Sequence, residues 1–160
     1  MLIICIIGAV LWIVIDRQRT APELVLQSAD GSSISIGKNQ KNILLINFWA
    51  TSCSACIIEL PHLIALHKEL HPRGFDIIGV SMSYDPPILV TKMAAEMQIP
   101  YPIVFDLDKK IQHAFGMTAG VTPTTILVDN KGRILQRIQG VPDMKQLRTR
   151  IIALLSETKH

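Results

Sequence analysis

Two cysteines separated by two residues are the side chains of this 160-residue chain best suited to chemistry. Cys53 and Cys56 follow the apolar run 43–46 and precede a pattern of apolar residues at helical spacing. A dithiol that cycles needs one thiolate that attacks and a second thiol that resolves the mixed disulfide. Unsatisfied backbone N–H groups and the positive end of a helix favour a thiolate at its start. The pair therefore indicates a redox centre, with Cys53 as the attacking thiol and Cys56 as the resolving one.

Two other interpretations of the pair are a static disulfide and half of a zinc site. Zinc normally takes four ligands, and the third cysteine of the chain, Cys5, lies in the apolar N-terminal segment. His62 and His67 lie on the predicted helix after the pair, and helix geometry does not bring both to one metal with the cysteines. Four methionines could suggest copper, but their spread along the chain favours core packing; they are Met82, Met93, Met97 and Met117. No metal site is predicted.

The composition excludes some classes of function. The formal net charge is only +3 and aromatic residues make up 5% of the chain, with no basic stripe for nucleic acid. The length suits one domain with an appendage. Both cysteines outside the N-terminal segment belong to the motif, which fits a catalyst better than a disulfide-stapled scaffold.

The N-terminal segment is almost wholly apolar over residues 2–15 and ends at Asp16 and Arg17. It is shorter than the roughly 20 residues that a bilayer span prefers, and it shows no cleavage site of small residues. We predict an uncleaved signal anchor at 1–16, a linker at 17–23 and a folded domain at 24–156; a buried core helix is the alternative for the apolar run. Taken alone, the cationic residues after the run would favour a cytoplasmic domain.

Hydrophobic periodicity and turn residues predict an alternation of strands and helices in the rest of the chain. The predicted strands are 24–28, 33–36, 43–48, 76–81, 103–105, 124–128 and 133–139, and the predicted helices are 53–70, 86–98, 109–115 and 144–155. The first two strands form a hairpin through Asp30-Gly31. Alternating strands and helices, followed by a terminal hairpin and helix, imply a mixed central sheet with helices on both faces.

Pro123 immediately precedes a predicted strand. Proline cannot donate to a strand ladder, so the first residue of a strand is one of the few places it occupies in a sheet. The sequence itself leaves the isomer of the Thr122–Pro123 bond open, since most bonds of this type are trans.

From about Pro22 to Leu155 the chain resembles the thioredoxin-like superfamily, and within it the membrane-anchored thiol–disulfide oxidoreductases of the TlpA/ResA type. The resemblance is carried by Asn-Phe-Trp-Ala-Thr at 47–51, by Cys-x-x-Cys-x-x-Glu-x-Pro at 53–61, by Val-Thr-Pro-Thr-Thr at 121–125 and by the hairpin turn at 129–132. It implies a thioredoxin-like α/β fold with an N-terminal hairpin and a central helical insertion.

The resemblance also implies roles for residues around the cysteines. Pro123 is expected to be a cis-proline that faces the pair, and the backbone of Thr122 is expected to bind an incoming polypeptide by strand addition. Trp49 is expected to pack beside the disulfide.

A proton-transfer acid is harder to assign. Asn47 occupies the position at which cytoplasmic thioredoxins carry a buried acid. Some relatives use an acid from the central insertion instead, and Asp85 is the nearest candidate here. Glu59 is expected to be a solvated helix residue, although its proximity to Cys56 in the sequence keeps it as a second candidate.

The resemblance favours reduction of disulfides in extracytoplasmic client proteins, such as apocytochromes or copper-site proteins. Electrons would come from a membrane thiol–disulfide donor, on the periplasmic side of a bacterial inner membrane, with no cofactor beyond the redox-active disulfide. Ser52 replaces a tryptophan common in relatives, and Ser54-Ala55 lacks proline, so the motif does not define the direction. The alternatives are a thiol oxidant, or a copper-binding or copper-delivery protein that uses the same cysteines.

Overall fold

The computed structural model describes residues 20–38, 40–117 and 120–157. The predicted anchor at 1–16 and residues 17–19 of the predicted linker lie outside this part of the chain. Within the described residues, no helix combines the length and the apolar character needed to cross a membrane.

Seven strands and four helices follow one another in the described chain, with a single 3₁₀ turn at His71–Arg73 after the first helix. The strands are β1 (Leu24–Gln27), β2 (Ser33–Ile36), β3 (Ile43–Trp49), β4 (Phe75–Ser81), β5 (Ile103–Phe105), β6 (Thr124–Val128) and β7 (Ile134–Gln139). The helices are α1 (Ser54–Leu70), α2 (Pro87–Glu96), α3 (Lys110–Ala114) and α4 (Met144–Glu157).

The central sheet has five strands in the order β5-β4-β3-β6-β7. β3 pairs in parallel with β4, and β4 in parallel with β5, whereas β6 and β7 are antiparallel additions. β1 and β2 form a separate antiparallel hairpin. All residues of β3 are buried, and except for Asn47 its sequence is apolar, as expected at the centre of a covered sheet. The predicted mixed sheet is confirmed.

Side chains of β3 alternate between two apolar layers. On one face, Leu45 belongs to a buried cluster with Leu66 of α1 and Ile151 of α4. On the other face, Phe48 makes an edge contact with Phe115, which follows α3, at 6.0 Å between ring centroids. The four methionines pack in the core, as predicted. The cluster around Phe48 includes Met82 and is contacted by Met117, and a third apolar cluster is contacted by Met93 and Met97. Helices therefore cover both faces of the sheet.

Strand register brings several chain segments to one end of the sheet. β3 ends at Trp49, which is paired with Ser81 at the end of β4. Phe48 is paired with Thr124 at the start of β6, and α1 begins five residues after β3 ends. The residues between β3 and α1, which include Cys53, therefore lie beside the entry to β6, which Pro123 directly precedes.

Candidate active site

Cys53 and Cys56 are joined by a disulfide, with their Cα atoms 5.2 Å apart. Cys53 is the N-cap residue of α1, and its Sγ accepts a hydrogen bond from the Cys56 backbone N–H at 3.2 Å. Cys53 is half-buried, whereas Cys56 is only 1% exposed. A backbone donor aimed at Sγ stabilises a thiolate there in the reduced state. The arrangement thus gives one cysteine that is partly accessible to solvent and one that is shielded.

Asp85 holds the loop that leads into the cysteines. Its carboxylate accepts the Thr51 backbone N–H at 2.6 Å and the Thr51 hydroxyl at 2.5 Å. Asp85 is 3% exposed, and it follows β4 in the chain. Both oxygens of this candidate acid are therefore engaged by one residue, and the contact ties the end of β4 to the approach to Cys53.

Trp49 lies in a small buried cluster with Cys56, Leu60 and Val90, against which Cys53 also packs. The indole N–H has no hydrogen-bond partner among the described residues. The indole therefore shares its apolar surroundings with the disulfide.

Glu59 is buried, and the prediction that it is a solvated helix residue was wrong. It is 1% exposed, because the same face of α1 that carries Cys56 also carries the leucines that pack on the sheet. Its Oε1 accepts a hydrogen bond from the Thr125 hydroxyl at 3.1 Å and a longer one from Asn47 Nδ2 at 3.4 Å. Its Oε2 has no partner among the described residues.

Burial raises the pKa of Glu59 from its ordinary value of 4.5 to about 7, because the ionised form loses its hydration. The hydrogen bonds from Thr125 and Asn47 oppose this rise by stabilising the carboxylate. Near neutral pH this carboxyl group can therefore both take up and give back a proton. The property is what a proton-transfer group beside a thiol requires.

β3 carries an amide, Asn47, at this site and no acid, and the buried acid is supplied by α1 instead. Asn47 Nδ2 also donates to Thr125 Oγ1 at 3.2 Å, and the two residues are paired across β3 and β6. The acid, Glu59, comes from α1 and contacts this pair from the face of the sheet on which α1 packs. A sequence signal existed: Glu59, Leu63 and Leu66 have the spacing of one buried helix face.

Pro123 is buried, and its bond to Thr122 is cis, as the resemblance implies. Since Phe48 pairs with Thr124, the next register step places Pro123 beside Trp49, at the end of β3 that leads to Cys53. Thr122 is half-buried and Val121 is 41% exposed. The chain just before β6 is therefore partly accessible at the end of the sheet where β3 leads to Cys53.

A family model described as Redoxin matches residues 17–151. The chain belongs to the Redoxin family. The thiol–disulfide oxidoreductase ResA of Geobacillus thermodenitrificans is 31% identical to it over 130 residues, which cover 79% of this chain and 73% of ResA. A solution structure described as a thioredoxin from Neisseria meningitidis is 32% identical with a TM-score of 0.78, over 85% of this chain and 89% of that one. StoA from Bacillus subtilis shares the fold, with a TM-score of 0.70 at 21% identity over 82% of this chain and 97% of StoA.

These similarities and the Cys53–Cys56 pair make this Redoxin-family protein a thiol–disulfide oxidoreductase of the ResA type. The predicted superfamily, the thioredoxin-like fold and the enzyme class are confirmed.

The Redoxin-family domain exposes apolar side chains around its cysteines. They lie in the first turns of α1, after the ends of β4 and β5, and before β6, all at the end of the sheet that carries Cys53. These side chains are Ile57, Ile58, Tyr84, Ile88, Leu89, Leu107 and Val121. Exposed apolar groups gathered at one end are typical of a surface that contacts another protein.

One cluster of side chains with metal-ligand spacing occurs in the described residues, and it was not predicted from the sequence. It consists of His67, His71 and Asp76 and lies at the other end of α1 from the cysteines. The two histidines have the i,i+4 spacing of one helix face, which was the available signal. Asp76 lies on β4 and is brought close to the two histidines by the turn that leads into this strand.

Proposed function

We propose that this oxidoreductase reduces disulfides of extracytoplasmic client proteins. The Cys53 thiolate attacks one sulfur of a client disulfide, and the other client sulfur leaves as a thiolate. The Cys56 thiolate then attacks Cys53 Sγ, which releases the second client thiolate and forms the Cys53–Cys56 disulfide. Two electrons pass to the client, and a thiol donor returns the pair to the dithiol.

The observation that carries the proposed dithiol exchange is the buried carboxyl group one helical turn from the buried thiol, and the resemblance to reducing relatives supports the direction. Glu59 follows Cys56 by three residues on the same face of α1, so their side chains are neighbours. Cys56 must lose its proton before it attacks, and burial in apolar surroundings opposes that loss. Glu59, with a pKa of about 7, takes this proton at neutral pH and returns it in the reverse direction. Asp85 serves instead as a positioning residue, because both of its oxygens bind Thr51.

Clients bind at the end of the sheet that carries Cys53. The backbone of Thr122 pairs with an extended client segment, and Pro123 orients the chain at Thr122 for this pairing. Trp49 packs beside the disulfide. The exposed apolar side chains around the site supply contact area that depends little on client sequence. This combination suits a reductase that acts on unfolded polypeptides with a disulfide, such as apocytochromes, or on proteins with copper-site cysteines.

The resemblance to membrane-anchored relatives supports a location on the periplasmic face of a bacterial inner membrane. Residues 1–16 would hold the domain there as a single-pass anchor, and a membrane thiol–disulfide protein would supply electrons. Added protease should then degrade the domain in spheroplasts with an intact inner membrane. Protection of the domain until the membrane is lysed would contradict this location.

The direction of the reaction is tested by the reduction potential of the pair. Equilibration with glutathione, read as the fraction of Cys53–Cys56 disulfide by mass spectrometry, should give a reducing value in the range of thioredoxin, about −270 mV. A value near that of strong oxidants, about −120 mV, would make the protein a thiol oxidant instead. Reduction of insulin disulfides with dithiothreitol should also be catalysed by the native protein and lost in Cys53→Ser.

A further inference from the structure

Three potential metal ligands converge at the end of the domain that is remote from the disulfide. His67 lies in the last turn of α1, His71 starts the following 3₁₀ turn, and Asp76 is the second residue of β4. One ligand atom from each lies within 4.8 Å of the other two. Cys53 precedes α1, so at 1.5 Å rise per residue the helix separates the cluster from the disulfide by roughly 20 Å.

The local fold brings the three side chains together. His67 and His71 are four residues apart on one helix face, and their rings stack at 4.7 Å between centroids with 22° between the planes. Gly74, at a φ of 100°, takes a left-handed conformation that turns the chain back into β4. Asp76 then meets the helix end, with its Oδ1 2.8 Å from His71 Nδ1.

We propose that His67, His71 and Asp76 bind one divalent transition-metal ion of the Zn²⁺ class. Two imidazole nitrogens and one carboxylate oxygen form a donor set that Zn²⁺ uses, whereas Ca²⁺ and Mg²⁺ prefer oxygen ligands. Ligand atoms at about 2.0–2.2 Å from one zinc ion lie roughly 3.3–3.6 Å apart in tetrahedral geometry. The 2.8 Å pair of His71 and Asp76 therefore needs to widen by roughly half an ångström, and ligand atoms separated by up to 4.8 Å need to approach one another.

The surroundings of the cluster support a cation. Asn42 Nδ2 donates to Asp76 Oδ2 at 2.8 Å, which orients the carboxylate and leaves Oδ1 for the ion. His67 and His71 lie at the C-terminal end of a 17-residue helix, where the helix dipole favours positive charge. His67 is buried while His71 is exposed, so an ion can enter from solvent and keep its remaining position for water.

The alternative is a metal-free contact between His71 and Asp76, half-exposed and worth little to stability. To separate the two, zinc chloride is titrated calorimetrically into the full chain in detergent micelles, with Cys5, Cys53 and Cys56 all replaced by serine. Removing the thiols excludes the cysteines as ligands of the added ion. Cobalt chloride is used in parallel, because bound Co²⁺ reports its ligands in the visible spectrum.

The proposal predicts saturable binding of one Zn²⁺ per chain and its loss in His71→Ala. His71 is exposed, so this substitution should leave the circular dichroism spectrum unchanged. Asn42→Ala should weaken binding by roughly 10–100-fold, as expected for a residue that orients a ligand. The matched control is His62→Ala, an exposed histidine of the same helix outside the cluster, which should bind like the parent. Absence of saturable binding by the parent, or equal binding by the parent and His71→Ala, would overturn the proposal.

Discussion

Replacing Glu59 by glutamine should remove a contribution to stability that falls between pH 4.5 and pH 7. The folded state raises the pKa of this group from 4.5 to about 7, so the folded protein holds a proton that the unfolded chain has already released. The stabilisation is complete below pH 4.5 and is lost as the pH rises through about 7. At about 1.4 kcal/mol per pKa unit, the difference amounts to roughly 3 kcal/mol.

The assay is urea unfolding of the disulfide form at pH 4.5 and pH 8, followed by circular dichroism. Glutamine keeps the shape of the side chain and the oxygen that accepts from Thr125, but it does not ionise. The stability of Glu59→Gln relative to the native protein should therefore rise by roughly 3 kcal/mol from the lower to the higher pH.

The matched control is Glu69→Gln on the same helix. Glu69 is exposed and its hydrogen bond to Arg148 lowers its pKa, so its contribution changes below pH 4.5 and not in the tested window. If Glu59→Gln and the native protein show the same dependence on pH, the buried carboxyl group does not titrate near neutrality and the proton-transfer argument fails.

Thr125→Val removes a hydrogen bond that lowers the pKa of Glu59, so the pKa should rise above 7 and the loss of stability should extend to higher pH in the same unfolding assay. If the pH at which the loss of stability ends is the same in Thr125→Val as in the native protein, Thr125 does not determine this pKa. Asp85→Ala removes two hydrogen bonds from Thr51 to a carboxylate and should cost about 1.5–3 kcal/mol for each in thermal or urea unfolding. The apparent pKa near 7 in the pH profile of insulin reduction should stay, whereas its displacement would give Asp85 a direct role in proton transfer.

Local sequence patterns predicted most elements of the fold. The bounds of β5 and β6 agree with the sequence prediction, because prolines or turn residues flank these short apolar runs. The last residue of β3 was missed, since Trp49 pairs with Ser81 in a strand that starts 26 residues later in the chain. Pairing of that kind depends on the tertiary structure and leaves no local signal.

The cysteines were identifiable from spacing and context, and Glu59 and Asp85 were named as candidate acids, but the contacts that these two acids make were not predicted. The burial of Glu59 follows from the way α1 packs on the sheet, and its hydrogen bonds come from two different strands. The contact of Asp85 with Thr51 spans 34 residues of sequence. The clustering of Asp76 with two histidines requires the reversal at Gly74. Each of these features depends on contacts between elements, which a single sequence does not reveal.

The most direct test of the mechanism is the trapping of a mixed disulfide. Cys56→Ser, with Cys5 also replaced by serine, is incubated with a disulfide-bonded client peptide and analysed by peptide mass spectrometry. The half-exposed Cys53 at the helix N-terminus should form a stable adduct that dithiothreitol releases, whereas the matched Cys53→Ser variant should form little, since Cys56 is buried. Equal adduct formation by the two variants, or none by Cys56→Ser, would contradict the assignment of Cys53 as the attacking thiol.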